Sequence, residues 1–269
     1  MPDRTLPSLP DSKHLQIDRL TVKIYNSSAD LAIDAARLAH DYLQSLLNQQ
    51  EIVSIVLATG NSQLQFLALL VTAPNIDWSR IVLYHLDEYL GITARHPGSF
   101  RYYLQEKVAN KIAPRQFHFI EGDAKQPLVE CRRYSQLLQK QPIDLCLLGI
   151  GDNGHLAFNE PSVADFSDSD VIKLVKLESK TRQQQIDGGY FPDLESVPQY
   201  AYTLTIPTIC QAHKIFCLAP GKHKAAVVSQ TLKEEISHNF PATILRTQPQ
   251  AILFCGEVAH SDRDSFSLK

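Results

Sequence analysis

Residues 143–151 read IDLCLLGIG, a near-continuous apolar run that closes on glycine. Side chains alternate across a strand, so a strand that is apolar on both sides has to be covered on both faces. That is the situation inside a parallel sheet with helices above and below it. The run is far shorter than the roughly 18 apolar residues a membrane helix needs, and no other run in the chain approaches that length.

The segments around it alternate in type. LTVKIY (20–25) reads as a strand, and Asn26-Ser27-Ser28-Ala29-Asp30 supplies capping oxygens for a helix. Leu31, Ala35, Leu38, Tyr42 and Leu46 then recur at helical spacing. EIVSIVLATG (51–60) reads as a strand, SQLQFLALLV as a helix and IVLYHL (81–86) as a strand. SFRYYLQEKVANKI (99–112) reads as a helix, QFHFI as a short strand and LVECRRYSQLLQK as a helix. In the second half VIKLVKL, AYTLTI, KIFCLAP and AILFCG are strand candidates, and KHKAAVVSQTLKEEI is a helix with basic residues oddly placed at its start. The pattern predicts an α/β fold: a three-layer sandwich with a mostly parallel, Rossmann-like central sheet flanked by helices. No repeat, low-complexity tract or linker divides it, so residues 16–269 are expected to form a single domain after a flexible leader, 1–15.

With 269 residues, 44% of them hydrophobic, the chain can bury a sizeable core. Its net charge is -3 and its Lys and Arg are scattered, whereas a duplex nucleic-acid binder carries a basic stripe. The start, MPDRTLPSLPDSK, has no apolar signal-peptide core. Cys131, Cys146, Cys210, Cys217 and Cys255 form an odd set without a C-x-x-C pair, and four of them lie in apolar runs. They read as buried thiols in a reducing compartment, neither a disulfide nor a zinc framework. The expectation is a cytoplasmic chain that handles a small molecule, with no nucleic acid or membrane as partner.

Ligands of open α/β sheets bind at the carboxyl ends of the strands, and three strand ends carry chemistry. In Thr59-Gly60-Asn61-Ser62, Gly and Asn tolerate positive φ, so successive N–H groups and the Ser62 hydroxyl can converge on one point at a helix start. That suits a phosphate cradle; an ordinary turn with a Ser or Asn cap has the same sequence. In His85-Leu86-Asp87-Glu88-Tyr89, alternation puts His85 and Asp87 on one face and Leu86 on the other. A carboxylate at such a strand end suits a general base, and a solvated acidic turn is the plainer reading. His96-Pro97-Gly98-Ser99-Phe100 then reads as a loop and cap. The third end is Gly149-Ile150-Gly151-Asp152-Asn153-Gly154-His155-Leu156-Ala157-Phe158-Asn159-Glu160-Pro161, a backbone-rich turn that delivers His155 and Glu160 close together. A His beside a carboxylate can be tuned as acid or base near neutral pH, although a hydrogen-bonded loop histidine is the commoner case. No His or Cys has zinc-ligand spacing to His155, and there is no G-x-S-x-G nucleophile elbow.

Taken in order, L-A-T-G-N-S, L-D-E-Y-L-G, H-P-G-S-F, I-D-L-C-L-L-G-I-G-D-N-G-H-L-A-F-N-E-P, V-P-Q-Y-A-Y-T-L-T-I and P-G-K-H-K-A resemble the glucosamine-6-phosphate deaminase (isomerase) family, within the group that includes the 6-phosphogluconolactonases. The lactonases usually carry D-E-R for D-E-Y and T-A-S-L-F after the Gly-His turn; this chain has the deaminase form at both places. The resemblance implies conversion of glucosamine 6-phosphate and water to fructose 6-phosphate and ammonia, reversibly and with no cofactor or metal. It implies that His155 opens the sugar ring with Glu160 as its carboxylate partner, and that Asp87 carries a proton between C2 and C1. Thr59, Gly60, Asn61 and Ser62 would hold the phosphate with Lys224, whose ammonium at a helix start suits an anion lying between the two.

The chain also departs from the family pattern. Asn153 stands where some members have Asp, beside the histidine it would tune. Asn61 and Gln63 replace the more usual Gly or Ser and Pro. An Arg that precedes an aromatic pair in better-known deaminases is missing from Ile186-Asp187-Gly188-Gly189-Tyr190-Phe191, and Arg182 is the nearest residue to supply its charge. Three alternatives stay open here: the galacto epimer as substrate, a 6-phosphogluconolactonase, and a non-catalytic sugar-phosphate sensor. His213 and His260 receive no role.

Overall fold

The apolar runs pair into two sheets in the computed structural model, which describes residues 10–256. The larger sheet takes β1 (Lys13–Ile17), β2 (Leu20–Tyr25), β3 (Val53–Leu57), β4 (Ile81–His85), β6 (Gln116–Phe117), β7 (Leu145–Leu148), β10 (Ile215–Ala219) and β11 (Ala251–Gly256). Its spatial order is β1-β2-β11-β10-β7-β3-β4-β6, and every neighbouring pair is parallel except β1 with β2. The helices are α1 (Ser28–Leu47), α2 (Leu64–Leu70), α3 (Phe100–Leu104), α4 (Pro127–Leu138), α5 (Ser179–Asp187), α6 (Ile206–Cys210) and α7 (Ala225–Lys233).

The two-sided burial inferred from IDLCLLGIG is what the sheet shows. Ile55, Leu83, Leu147 and Phe216 point to one face and pack with Leu31, Ala35 and Leu43 of α1 and with Phe66 and Leu67 of α2. Val56, Tyr84, Leu148 and Cys217 point to the other, against Tyr134 of α4, Ile209 of α6 and Val228 of α7. The expected cap is present: the Ser27 side chain accepts a hydrogen bond from the Asp30 N–H at 3.0 Å and starts α1. The five cysteines are free thiols, and burial pushes those of Cys146, Cys217 and Cys255 upward in pKa. Among the described residues no helix is long and apolar enough to cross a membrane.

Four details differ from the sequence reading. The expected leader overlaps β1, because Lys13, His14 and Leu15 already pair with β2; residues 1–9 lie outside the described part of the chain. Two runs, VIKLVKL and AYTLTI, become β8 (Ile172–Lys176) and β9 (Tyr200–Leu204) of a separate antiparallel sheet, β5-β9-β8, with β5 at Asp87–Tyr89. The helix expected over 99–112 is α3 followed by one π-helical turn, Gln105–Ala109. The basic residues Lys222–Lys224 form a 3₁₀ turn ahead of α7. His213 is more than half exposed, 3.5 Å from the Asp144 carboxylate, and His260 lies outside the described residues.

This order places the crevice. From β3 the chain moves one way across the sheet to β4 and β6; from β7 it moves the other way to β10 and β11. The reversal lies between β3 and β7, and such switch points are where open α/β sheets bind ligands. The central run of strands β10-β7-β3-β4 therefore delivers its four carboxyl-end loops to one place.

Candidate active site

Those loops, with α5 and the start of α3, enclose a cavity of about 790 Å³. Small-molecule sites commonly span about 300–1,000 Å³. Thr59, Gly60, Asn61, Ser62, Asp87, His155 and Lys224 all line it.

After β3, Gly60 adopts φ +92°, a left-handed conformation that a side chain would strain. Gln63 N–H closes the turn onto Gly60 O at 3.1 Å. The N–H groups of Gly60, Asn61 and Ser62 make no hydrogen bond within the described residues. Gln63 is fully buried and bolts the turn to the sheet, its amide donating to Leu148 O at 3.2 Å and to the Ser62 hydroxyl at 3.0 Å. α2 is only two turns long, so the turn's own N–H groups carry more of any anion than the helix end does. Tyr103 OH donates to Gly60 O at 3.0 Å, and Tyr190 OH to the Asn61 side-chain oxygen at 3.2 Å.

After β4 the chain leaves the large sheet and joins the small one, with Leu86 bonded to both: its N–H to Leu57 O and its O to Leu204 N–H. His85 and Asp87 consequently do not share a face over the crevice. His85 is fully buried against Phe119 and Tyr134; its Nε2 accepts from Ile120 N–H at 2.8 Å, so Nδ1 carries the proton and donates to Asp87 O at 2.9 Å. Burial, with Arg101 and Arg133 nearby, pulls its pKa down to about 3 and keeps it neutral. The two adjacent carboxylates have opposite surroundings. Glu88 accepts from the N–H groups of Tyr89, Phe100 and Arg101 and from the Ser99 hydroxyl, at 2.7–3.0 Å. The Asp87 carboxylate accepts from nothing among the described residues, faces the cavity, and is pushed well above the usual carboxylate range by burial and by the charge of Glu88.

After β7, Gly151 makes room for His155: a Cβ there would lie 2.2 Å from the imidazole. Asn153 Oδ1 accepts from His155 N–H at 3.2 Å and lies 2.7 Å from Nδ1. An amide oxygen cannot donate, so this places the ring proton on Nδ1 and leaves Nε2 with its lone pair. Burial, and then the Lys224 charge, lower the His155 pKa to about 4, which makes it a neutral acceptor at pH 7. The pairing expected between His155 and Glu160 is not made. Leu156 and Asn159 form a tight reversal that turns Glu160 away, and its carboxylate instead accepts from Glu178 N–H at 2.7 Å and from the Thr181 hydroxyl, holding the start of α5. Glu160 is fully buried and meets the cavity only through Thr181.

Lys224 donates to Ile150 O at 2.9 Å and to the Asp152 carboxylate at 2.7 Å. Arg182 does not supply the missing arginine's charge: its guanidinium donates to Leu194 O and Val197 O. The reason is helical phase. Thr181, Gln184, Gln185 and Gly188 present one face of α5 to the cavity, and Arg182 sits about 100° round the helix. Sequence reasoning passed over Tyr103, Gln184, Tyr190 and Asp152; only Asp152, inside the Gly-rich turn, carried a signal. Among the described residues no group of three or more His, Cys, Asp or Glu side chains is placed to hold a metal ion.

Residues 26–254 match the family described as glucosamine-6-phosphate isomerases/6-phosphogluconolactonase. A glucosamine-6-phosphate deaminase of Exiguobacterium sp. is 32% identical over 221 residues, 82% of this chain and 85% of that protein. One of Listeria monocytogenes serotype 4a is 33% identical over 226 residues, 84% of this chain and 94% of that protein. Among solved structures, a monomeric glucosamine-6-phosphate deaminase superposes with a TM-score of 0.81 at 31% identity, covering 90% of this chain and 99% of that one. The 6-phosphogluconolactonase of Thermotoga maritima shares the fold at 17% identity, with a TM-score of 0.72 over 88% of this chain and 100% of that one.

Proposed function

The chain belongs to the glucosamine-6-phosphate isomerase/6-phosphogluconolactonase family, and we propose that within it this protein converts glucosamine 6-phosphate and water to fructose 6-phosphate and ammonia. The observation that carries the reading is the placement of Asp87, a buried carboxylate without a partner among the described residues, in the same cavity as a neutral His155 and the Thr59–Ser62 turn. Hydrolysis of a lactone needs no base at C2; moving a proton from C2 to C1 needs one carboxylate over a single face of that bond.

His155 Nε2 takes the O1 proton of the closed sugar and returns it to O5 as the C1–O5 bond breaks. Asn153 fixes the tautomer for this step and takes the part first assigned to Glu160. Asp87 removes the C2 proton as the substrate's own ammonium passes one to O1, giving the neutral enolamine, then returns its proton to C1 as the C2–N bond becomes the double bond. Water hydrolyses the resulting C2 imine to the ketone and ammonia. Burial serves Asp87 here, since a carboxylate deprived of hydrogen-bond donors is a stronger base than one in water. The phosphate rests on the N–H groups of residues 60–62 and on Lys224, while Arg182 and Glu160 act by holding α5 against the cavity.

The test is to incubate the purified protein with glucosamine 6-phosphate and measure ammonia and fructose 6-phosphate together. Equal amounts of both support the reading. Neither product, from folded protein that hydrolyses 6-phosphogluconolactone instead, overturns it in favour of the lactonase.

A further inference from the structure

The cavity that is to receive a phosphorylated sugar is poor in positive charge. Lys224 is the one Lys or Arg among the described residues that line it, against the carboxylates of Asp87, Asp152 and Asp187. Its ammonium is already engaged: one proton goes to Ile150 O and another to Asp152 Oδ1 at 2.7 Å. The other oxygen of the same carboxylate, Oδ2, accepts from the Gln184 amide of α5 at 2.9 Å. Asp152 thus offers the lysine and the α5 amide two anionic oxygens, the arrangement a phosphoryl group also presents.

Resting on the sugar-phosphate reading above, we propose that Asp152 is an internal competitor for the phosphate seat, its carboxylate holding Lys224 and Gln184 while the cavity is free and giving them up when a phosphoryl group binds. Exposure permits the exchange. The Asp152 side chain is 50% exposed and can turn into water, whereas that of Lys224 is 16% exposed and stays on the cavity wall. A half-exposed ion pair is weak, so a dianion able to bond the ammonium, the amide and the N–H groups of residues 60–62 displaces it. Burial alone would raise the Asp152 carboxyl, but the Lys224 hydrogen bond and charge outweigh it and hold the group below the usual range, so it competes as an anion. The residue sets affinity for the phosphorylated end and touches no reacting atom.

Calorimetric titration with inorganic phosphate tests this without requiring any turnover, so it stands even if no ammonia is produced. Asp152→Asn is expected to bind phosphate about three- to fivefold more tightly than the unaltered protein, the upper scale of one partly exposed ion pair. Asp152→Glu, which keeps the competing charge, is expected to stay within about twofold. Asp187→Asn removes another lining carboxylate that does not touch Lys224, and is expected to change affinity less than about twofold. Weaker or unchanged binding by Asp152→Asn would mean that Asp152 merely orients the lysine, and overturns the proposal. Equal tightening by Asp187→Asn would make net charge the cause, and overturns it as well.

Discussion

Asp87 and Glu88 are neighbours in sequence with opposite structural circumstances, and exchanging each for its amide should separate their roles. Asp87→Asn keeps the shape and removes the base proposed above, so kcat should fall by about 10²–10⁴. Its folded state loses a carboxylate that burial and Glu88 disfavour, so the melting temperature should hold or rise. The sign follows from proton binding. A carboxyl whose folded pKa is raised binds more protons folded than unfolded, so the unaltered protein loses stability as pH climbs from about 4 through the raised value, and the variant does not. The gap in melting temperature should therefore widen with pH. Burial raises the Glu88 carboxyl as well, so Glu88→Gln differs through its hydrogen bonds: it should lower the melting temperature and leave the rate little changed. One amide oxygen can still serve the Tyr89 and Phe100 N–H groups, but the new amide nitrogen faces the Arg101 N–H and the Ser99 hydroxyl. One stranded N–H and the loss of charge from the remaining bonds cost about 2–4 kcal/mol, or about 5–10 °C in a domain of this size. Calorimetric melts from pH 5 to 8 beside steady-state rates decide it. An Asp87→Asn rate within tenfold of the original, or a Glu88→Gln melting temperature within about 2 °C, would refute the assignment.

Gly151→Ala drives a methyl group into the His155 ring and should lower kcat about 100-fold with the fold retained, visible as a shifted His155 imidazole signal by NMR. His155 and His85 titrate at about 4 and about 3 in the folded protein, so the unfolded chain binds protons first and stability should fall as pH drops from about 6.5 toward 4; melts of His155→Asn should show a shallower slope over that window. Gln63→Leu frees the Thr59–Ser62 turn from Leu148 O and should raise KM for the phosphorylated sugar about tenfold with kcat little changed; an unchanged KM would show that the turn holds itself.

Much of the fold was legible because burial on both faces leaves a continuous apolar run, and β3, β4, β7, β10 and β11 all have one. The strands that escaped notice lack that signature. β1, KHLQI, is an edge strand with three exposed positions, so its composition resembles a leader's. β5 is three residues long and two of them are acidic; only its pairing with β9 makes it a strand. The change of sheet at Leu86 cannot be read from alternation, which assumes that a strand continues in one plane.

The site residues divide in the same way. Glycine, Asn and Asp mark the loops after β3 and β7 whatever the rest of the chain does, so Thr59–Ser62 and the turn bearing His155 could be found by inspection. Where Glu160 and Arg182 point depends on quantities that proximity in sequence does not carry: a reversal at Leu156 and Asn159, and the phase of a nine-residue helix. Both residues turn out to hold α5, Glu160 at Glu178 and Thr181, Arg182 through the carbonyls of Leu194 and Val197. The face that α5 gives the cavity then carries the amides of Gln184 and Gln185 in place of a guanidinium. With Lys224 shared with Asp152, a phosphoryl group bound as proposed would gain more from the uncommitted N–H groups of Gly60, Asn61 and Ser62 than from any cationic side chain, and substitutions that distort that turn should weaken binding more than removal of any single charge on α5.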